Sequence, residues 1–157
     1  MDTEAVREAL ARHPAGVVVV STRVADGYRG LTVTSFASVS LDPPLVLVCL
    51  DRLAQSREAV LEAGAFNVSV LRRNQEFIAD RFAGRAPLAG PRWREIPHRL
   101  GANGIPIVEG CVAWLECRLA EVHEAGDHDV ALGAVEGGGS APGDPLVYWD
   151  RAFWRLQ

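Results

Sequence analysis

A strand-like segment with hydroxyl groups along one side is the first feature of this sequence that could do chemistry. Between residues 31 and 41, the even positions carry four hydroxyls and one phenyl ring: Thr32, Thr34, Phe36, Ser38 and Ser40. The odd positions are mostly apolar, so a strand of period two would have one polar and one apolar face. Asp42-Pro43-Pro44 ends the segment, residues 45–51 form an apolar strand-like run, and Ser56-Arg57 then opens a short predicted helix.

These elements together could bind a cofactor with a flat ring and a phosphate, such as a flavin. A flavin needs donors for its pyrimidine oxygens, an apolar wall for its rings and an anion site for its phosphate. The strand could supply the first two through hydroxyls and backbone amides. The N–H groups of the helix that Ser56 would cap, with Arg57 beside them, could supply the third. The alternative is a solvent-facing strand and an ordinary helix cap, and composition alone favours this alternative.

A second candidate is the sequence Gly126-Asp127-His128-Asp129, where a hairpin signal leads into a strand. His128 lies just beyond the predicted turn, from which its side chain could reach a nicotinamide or a pyrophosphate. A metal site with His123 and an acid is an alternative, but no known ligand spacing is present. A polar hairpin with an exposed imidazole is the third interpretation, and the spacing alone favours it.

Composition and missing motifs argue against several other classes. The 16 basic and 20 acidic residues give a net charge of −4, which is unlike a nucleic-acid-binding protein. No GxGxxG after a strand, GxxxxGK[ST], HExxH or GxSxG motif occurs. Cys49, Cys111 and Cys117 form no CxxC, so we expect buried reduced thiols rather than disulfides or zinc ligands. The N-terminus lacks an apolar signal segment and the apolar runs are short, so we expect a soluble cytoplasmic protein without membrane spans.

The elements that would hold these candidates are mostly strands. Helices are expected over 3–13 with Thr3 as the cap, over 56–62 and over 74–83. Strands are expected over 16–22, 31–41, 45–51, 65–71, 111–122 and 130–135, and one or two within 146–156. Residues 84–106 are expected to be irregular and residues 137–140 to be flexible. The pattern predicts one domain over 1–157, mainly β, forming a closed or nearly closed barrel with a few short peripheral helices.

Taken in order, these segments resemble the flavin reductase family of two-component monooxygenases, whose fold is the FMN-binding split barrel with Greek-key strands. The resemblance is carried by the sequences HPAGVVVV, GLTVTSFASVSLDPPLVLVC and FNVSVL, then by Gln75, Phe82-Ala83, Gly126-Asp127-His128 and Pro145-Leu146-Val147-Tyr148. The long second stretch, from Gly30 to Cys49, is specific. The other pieces are individually weak but occur in the expected order, so the resemblance covers nearly the whole chain.

This resemblance implies an NAD(P)H:flavin oxidoreductase. The enzyme would pass a hydride from NADH or NADPH to FMN or FAD and would supply reduced flavin to a partner monooxygenase. It would be a homodimer with the flavin at the subunit interface. A flavin-binding electron carrier and a flavoenzyme that acts directly on an organic substrate are the alternatives.

The resemblance also implies which side chains meet the flavin. Val33, Thr34 and Ser35 would lie along the ribityl chain and ring edge, and Ser38, Val39 and Ser40 would meet the ring. Cys49 and Asp51 would flank the cofactor, Ser56 and Arg57 would hold its phosphate, and Phe82 and Ala83 would close the far side. His128 would be the catalytic residue, facing the nicotinamide, and no metal is implied. Many family members carry Asn in place of Ser35, whose hydroxyl keeps one donor but reaches less far.

Overall fold

Strands make up 53% of the chain in a computed structural model, which describes residues 2–83 and 93–157. Within these residues the helices are α1 (Thr3–Ala11), α2 (Gln55–Ala63), α3 (Glu76–Phe82) and a 3-10 helix (Trp93–Glu95). The first six strands are β1 (Ala15–Gly16), β2 (Val18–Val24), β3 (Gly27–Val33), β4 (Phe36–Leu41), β5 (Pro44–Asp51) and β6 (Ala65–Val70). The others are β7 (His98–Leu100), β8 (Pro106–Val108), β9 (Ala113–Ala125), β10 (His128–Ser140), β11 (Leu146–Trp149) and β12 (Ala152–Arg155). The predicted mainly β fold with short helices is confirmed.

Seven antiparallel strands form the main sheet, in the order β3-β2-β6-β9-β10-β5-β4. Its two edge strands, β3 and β4, are consecutive in the chain and are joined by Thr34 and Ser35. The sheet must therefore curl until its two edges meet at this two-residue corner. Within residues 2–83 and 93–157 no ladder joins β3 to β4, so the described sheet does not close into a complete barrel. A smaller sheet, β1-β11-β12, lies outside it.

The hydrophobic core lies on both faces of this curled sheet. Val18 and Val20 of β2 belong to the inner cluster, together with Phe66, whereas Val19 of β2 and the preceding Val17 belong to an outer cluster that includes residues of α3. All four valines are at most 2% exposed. The uninterrupted valine run follows from this arrangement, because a strand covered on both faces has no solvent-facing positions.

Two predicted helix caps are wrong. The side chain of Asp2, rather than Thr3, caps α1, with Oδ1 accepting from the Glu4 N–H at 3.0 Å. Helix α2 starts one residue earlier than expected, after Ala54, so Ser56 lies inside its first turn. The Ser56 hydroxyl lies 3.5 Å from the Gly30 carbonyl oxygen of β3 and does not cap the helix. The two caps are displaced by one and two residues, which is within the range over which helix ends are assigned differently.

The predicted flexible segment 137–140 is also wrong, because β10 continues through it and pairs with β9 up to Ser140. Its glycines are needed for close approach. A Cβ atom on Gly138 would lie 2.5 Å from the Trp114 carbonyl oxygen, and one on Gly139 would lie 2.5 Å from the Trp114 ring. Glycine within a strand often marks such a contact rather than a flexible loop.

The predicted irregular segment 84–106 is only partly within the described residues, since 84–92 lie outside them. From Trp93 onward it is more regular than expected, with the 3-10 helix and the β7–β8 hairpin. The loop within this hairpin is held by reciprocal amide bonds between Asn67 and Asn103, of 2.7 and 3.2 Å. All three cysteines are free; Cys111 and Cys117 are buried and Cys49 is half-buried. Among the described residues, no helix has the length and apolar character needed to cross a membrane.

Candidate functional site

The corner between the two edge strands changes the predicted pattern of faces. Leu31 and Val33 of β3 pack against the inner core cluster, and so does Phe36, the first residue of β4. Odd positions therefore face inward before the corner and an even position faces inward after it. The predicted single hydroxyl-bearing face is wrong, because Thr34 and Ser35 reverse the alternation that period two would continue.

The hydroxyls near the corner bond to the protein's own backbone. Thr32 donates from Oγ1 to the Ala79 carbonyl oxygen of α3 at 2.7 Å. Ser35 Oγ donates to the Cys49 carbonyl oxygen at 3.1 Å and accepts from the Cys49 N–H at 3.2 Å. These bonds fix the corner against α3 on one side and β5 on the other. They also explain why a short serine suits position 35.

The other predicted hydroxyls lie on the exposed edge strand β4. Ser38 pairs with Val46 and Ser40 with Leu45, so Val39 is the extra residue of a β-bulge. Val39 is 46% exposed. A bulge bends its strand and redirects the side chains that follow. Ser38 therefore precedes the bulge, and only Ser40 lies beyond it from the corner at Thr34 and Ser35.

A cavity of about 500 Å³ opens beside the corner, and we call it the corner cavity. It is lined by Thr34 and Ser35 and, from outside the main sheet, by His13, Tyr148 and Trp149. A smaller cavity of about 140 Å³ shares Thr34 and Tyr148 with it and adds Val33, Ala83 and Phe153. Phe82 is buried behind them, where its ring packs over Gly30 and a Cβ would lie 2.5 Å from it. Aromatic and aliphatic walls with a few polar groups suit a flat ring.

A strained turn forms one wall of the corner cavity. Asp150 and Arg151 connect β11 to β12 with φ of 51° and 63°, a region that residues other than glycine rarely adopt. Helix α1 holds this turn: Asp150 N–H donates to the Ala11 carbonyl oxygen at 2.9 Å, and the Arg12 guanidinium lies 3.5 Å from the Asp150 carboxylate. Trp149 Nε1 donates to the Arg12 carbonyl oxygen at 3.0 Å. The N-terminal helix therefore positions the aromatic wall.

The second group of predicted residues meets at the far end of β5. Asp51 lies directly opposite His128 in the β5–β10 ladder, and its Oδ1 accepts from the Leu53 N–H at 2.9 Å. His128 Nδ1 lies 2.7 Å from the Asp127 carboxylate, and this hydrogen bond lowers the pKa of Asp127. The His128 side chain remains 42% exposed. The imidazole is thus oriented by Asp127 and still accessible.

Arg57 is held by Asp129, a buried acid that the sequence analysis named in its second candidate but did not pair with Arg57. Its Nε donates to Asp129 Oδ2 at 2.6 Å, and this hydrogen bond is the main reason that the pKa of Arg57 is raised. Arg52 Nε lies 3.8 Å from Asp129 Oδ1. We call Arg52, Arg57 and Asp129 the arginine cluster. Both arginines line a cavity of about 510 Å³ together with Asp51 and Asp127.

The corner cavity and the arginine cluster are linked by one strand. Cys49 of β5 bonds to Ser35 at the corner, and Asp51, two residues further along, reaches the arginine side. Two residues of a strand span roughly 7 Å. Strand β5 therefore connects the corner with the cavity that the two arginines line.

A comparison with known protein families shows which family the chain belongs to. Residues 10–157 match the domain described as "Flavin reductase like domain". The chain belongs to the flavin reductase family. The resemblance seen in the sequence is therefore confirmed across nearly the whole chain.

Relatives of this flavin reductase family member are similar over most of their length. The reductase component of 4-hydroxyphenylacetate 3-monooxygenase from Thermus thermophilus is 41% identical over 154 residues, covering 98% of this chain and 96% of the relative. A protein named flavin reductase (NADH), from Kitasatospora aureofaciens, is 44% identical over 147 residues, covering 90% and 75%. The NADH:FAD oxidoreductase SgcE6 of Streptomyces globisporus, solved with NAD and FAD fragments, has a TM-score of 0.92 and 34% identity, covering 99% and 93%.

Several residues around the flavin reductase site were not selected from the sequence. Tyr148 and Trp149 were seen as part of an aromatic-rich C-terminal segment, and a run of aromatics beside a hairpin was the signal that could have selected them. His13 opens the HPAGVVVV motif but was given no site role, because only the fold brings it beside Thr34. Asp129 ends the second candidate motif, but its pairing was not predicted because its partner Arg57 is 72 residues away in sequence.

Proposed function

We propose that this protein transfers a hydride from NADH or NADPH to FMN or FAD and releases the reduced flavin to a partner monooxygenase. The observation that carries the proposal is the presence of both an aromatic corner cavity and an arginine cluster, connected through β5 by the Cys49–Ser35 hydrogen bonds and by Asp51. Membership of the flavin reductase family supports the reaction. The name of the Thermus thermophilus relative, a reductase component of a monooxygenase, supports the partner.

The residues present suit a flavin nucleotide. We propose that Val33, Thr34, Ser35 and Ala83 meet the ring and ribityl chain, with Tyr148 covering the opposite side. The chemistry that a bound flavin supplies is acceptance of a hydride from reduced nicotinamide. The chain's own groups bind and orient the two partners and exclude water, which is why an acid–base pair is not needed. Phe82 acts from behind, by supporting Ala83 and β3.

We extend the proposal to the remaining predicted contacts. Ser56 and Arg57 lie on the first turn of α2 and would hold the phosphate, while Cys49 and Asp51 would flank the cofactor along β5. Ser38, Val39 and Ser40 would meet the ring from the edge strand β4. Because these three residues line neither cavity at the corner, the last contacts require the ring to extend along β4.

His128 is proposed to bind the nicotinamide carboxamide. A carboxylate can only accept hydrogen bonds, so the contact with Asp127 puts the proton of the neutral imidazole on Nδ1. The other ring nitrogen, Nε2, then has a free lone pair that can accept from the carboxamide NH₂. Asp127 thereby acts as an orienting group rather than as a proton carrier.

We propose a single domain over residues 1–157 with the split-barrel fold, working as a cytoplasmic homodimer. The curled sheet whose edge strands meet at Thr34 and Ser35 supports the split barrel. The edge strand β4 supports the dimer, because four of its six residues are exposed, including Leu41 at 89%. An uncovered edge strand with apolar side chains tends to pair with another chain. Three free thiols are compatible with the reducing cytoplasm.

The proposed reaction is tested by mixing catalytic amounts of protein with NADH or NADPH and excess FMN or FAD without oxygen. Repeated turnover should remove the visible absorbance of the oxidised flavin. Absence of turnover with all four pairs would overturn the proposal. A purified yellow protein that does not react with either nicotinamide would instead indicate a flavoenzyme acting on an organic substrate.

The dimer is tested by sedimentation of Leu41→Glu beside Leu100→Glu. Leu100 is 51% exposed on β7, away from β4, so its variant is the matched control. We expect the mass of Leu41→Glu to fall towards that of one chain and the control to stay dimeric. A monomeric wild-type protein, or two dimeric variants, would contradict the interface proposed here.

A further inference from the structure

Asp129 is a buried acid whose hydrogen bonding is incomplete. Its side chain is 1% exposed on β10. Oδ2 accepts from Arg57 Nε at 2.6 Å, whereas Oδ1 has no hydrogen-bond partner among the described residues. Arg52 Nε lies near Oδ1, but at 3.8 Å it is beyond hydrogen-bond distance. A buried carboxylate oxygen without a donor is costly, so its persistence needs a reason.

The two arginines come from different elements and would repel each other without this acid. Arg52 follows β5 and Arg57 lies on α2. Asp129 lies between them and carries one negative charge against their two positive charges. The arginine cluster by itself therefore keeps one unit of positive charge beside a cavity of about 510 Å³, which both guanidinium groups line. Such a pair can bind a doubly charged oxyanion through several N–H donors at once.

Other acids in the neighbourhood compete with this anion site, but from exposed positions. Glu58 pairs with Arg57 Nη1, and Glu124 lies 3.3 Å from Arg52 Nη2. The side chains of these glutamates are 63% and 75% exposed, and the two acids that line the cavity, Asp51 and Asp127, are exposed as well, Asp127 at 95%. Solvent and salt screen such exposed pairs, and an incoming anion can displace them. The buried Asp129 cannot be displaced, because leaving it unpaired would cost far more.

We propose that Asp129 is a positioning residue that aligns Arg52 and Arg57 as a pair which binds the phosphate of a nucleotide substrate. The proposal rests on the proposed flavin reductase function and assigns the specificity of its anion site. A phosphate bridging the two guanidinium groups draws Arg52 towards Arg57 and gives Asp129 Oδ1 its missing donor. The phosphate is either that of the flavin nucleotide or the pyrophosphate of the nicotinamide nucleotide, since both carry the same chemistry.

The test compares substrates with and without a phosphate in Asp129→Asn, which keeps the shape of the side chain and removes its charge. Equilibrium dissociation constants for FMN and riboflavin are measured by quenching of flavin fluorescence. KM values are measured for NADH and for 1-benzyl-1,4-dihydronicotinamide, a hydride donor without phosphate. If the flavin phosphate is bound, we expect the Kd for FMN to rise about tenfold while that for riboflavin is unchanged. If the nicotinamide pyrophosphate is bound, KM rises selectively for NADH.

Equal changes for the phosphate-bearing and phosphate-free member of each pair, or no change in either pair, would overturn the proposal. Asp144→Asn is the matched control, because Asp144 pairs with Arg73 at 3.5 Å from an exposed position and should leave all four constants unchanged. If Asp129→Asn does not fold, Arg52→Gln and Arg57→Gln decide by the same selectivity. Wild-type protein that reduces no flavin would end the proposed function, whereas an active wild type with unselective variants would end only this proposal.

Discussion

The corner cavity and the arginine cluster are connected through the last residues of β5, and different interactions shape them. The corner cavity is shaped by backbone: a two-residue link between sheet edges, a strained turn at Asp150 and Arg151, and aromatic walls. The arginine cluster is shaped by charge, with a buried acid holding two guanidinium groups. Under the proposed function, recognition of a ring and recognition of a phosphate should therefore be separable in this chain. The following experiments act on one region at a time.

Removing an aromatic wall should give the largest effect and should not depend on phosphate. Tyr148→Ala deletes a ring shared by both cavities at the corner. Loss of about 2 kcal/mol of apolar contact corresponds to roughly 30-fold weaker binding. We expect the Kd values of FMN and riboflavin, measured by fluorescence quenching, to rise together by that factor. Tyr28→Ala, in a separate cavity beside His98, is the control; a change confined to FMN would break the comparison.

Replacing His128 should affect the nicotinamide and leave both flavin-binding regions intact. In His128→Gln the side chain no longer presents an imidazole Nε2 acceptor beside Asp127. We expect KM for NADH to rise about tenfold, with the Kd for FMN unchanged. His123→Gln is the matched control, because His123 is paired with Glu121 and 60% exposed on the neighbouring strand. A parallel loss of FMN binding would place His128 in the flavin site instead.

Ionic strength should distinguish the two regions by a smaller factor. Salt screens charge interactions at exposed sites, whereas apolar contacts in the corner cavity are not screened. Raising the salt from about 0.01 M to about 0.5 M should weaken FMN binding about threefold and leave riboflavin binding unchanged. Titrations at both salt concentrations measure the ratio directly. An equal response of the two flavins would mean that the arginine cluster does not contact the phosphate.

Thiol reactivity should give the smallest effect. It reports on β5, the strand that connects the two regions, through the reactivity of Cys49. Burial raises the pKa of Cys117 to about 12, which favours its neutral thiol. This raised pKa stabilises the fold fully below the unfolded thiol's pKa, and the contribution is lost as the pH rises through about 12. At pH about 8 we expect iodoacetamide to modify the half-buried Cys49 and to leave Cys117 unmodified, as read by peptide mass spectrometry.

The position of Cys49 also provides an internal check. Cys49 bonds to Ser35 at the corner, so a bound ring should shield it whether or not a phosphate is present. FMN and riboflavin at saturation should therefore slow its modification to the same extent. Protection by FMN alone would mean that shielding comes from the arginine side, and modification of Cys117 in the folded protein would contradict its burial.

Much of the fold was predictable because its elements are local. The Val17–Val20 run, the Gly126-Asp127 turn and the C-terminal strands each follow from neighbouring residues and are present, and the turn before β3 is Ala25-Asp26, one residue before the Asp26-Gly27 signal. The reversal at Thr34 and Ser35 was not predictable, because it is imposed by the meeting of two sheet edges. The strand over residues 137–140 was missed for a related reason. Gly138 and Gly139 are required there by close contact with Trp114, which lies on the paired strand β9 and is distant in sequence.

The candidate site was predictable to the extent that family motifs cover it. Thr34, Ser35 and Ala83 line the two adjoining cavities at the corner, and Asp51 and Arg57 line the cavity beside the arginine cluster. Patterns along the chain could not reveal that Asp129 binds Arg57, because a polar residue at a strand end is ordinary in sequence. Nor could they reveal that α1 holds the turn after Trp149, since this contact joins the two ends of the chain.

The order of strands in the main sheet has a consequence for how the protein folds. The β9–β10, β2–β3 and β4–β5 hairpins have short turns and can form early, whereas the β2–β6 and β5–β10 pairings that place β3 and β4 at opposite edges join strands distant in sequence. The Thr34–Ser35 link acquires its shape only after both edges have arrived. A ligand that binds at this link would therefore bind the completed sheet and would not bind partly folded chains. Flavin should slow the opening of the sheet's edges in hydrogen exchange while leaving the central hairpin unaffected.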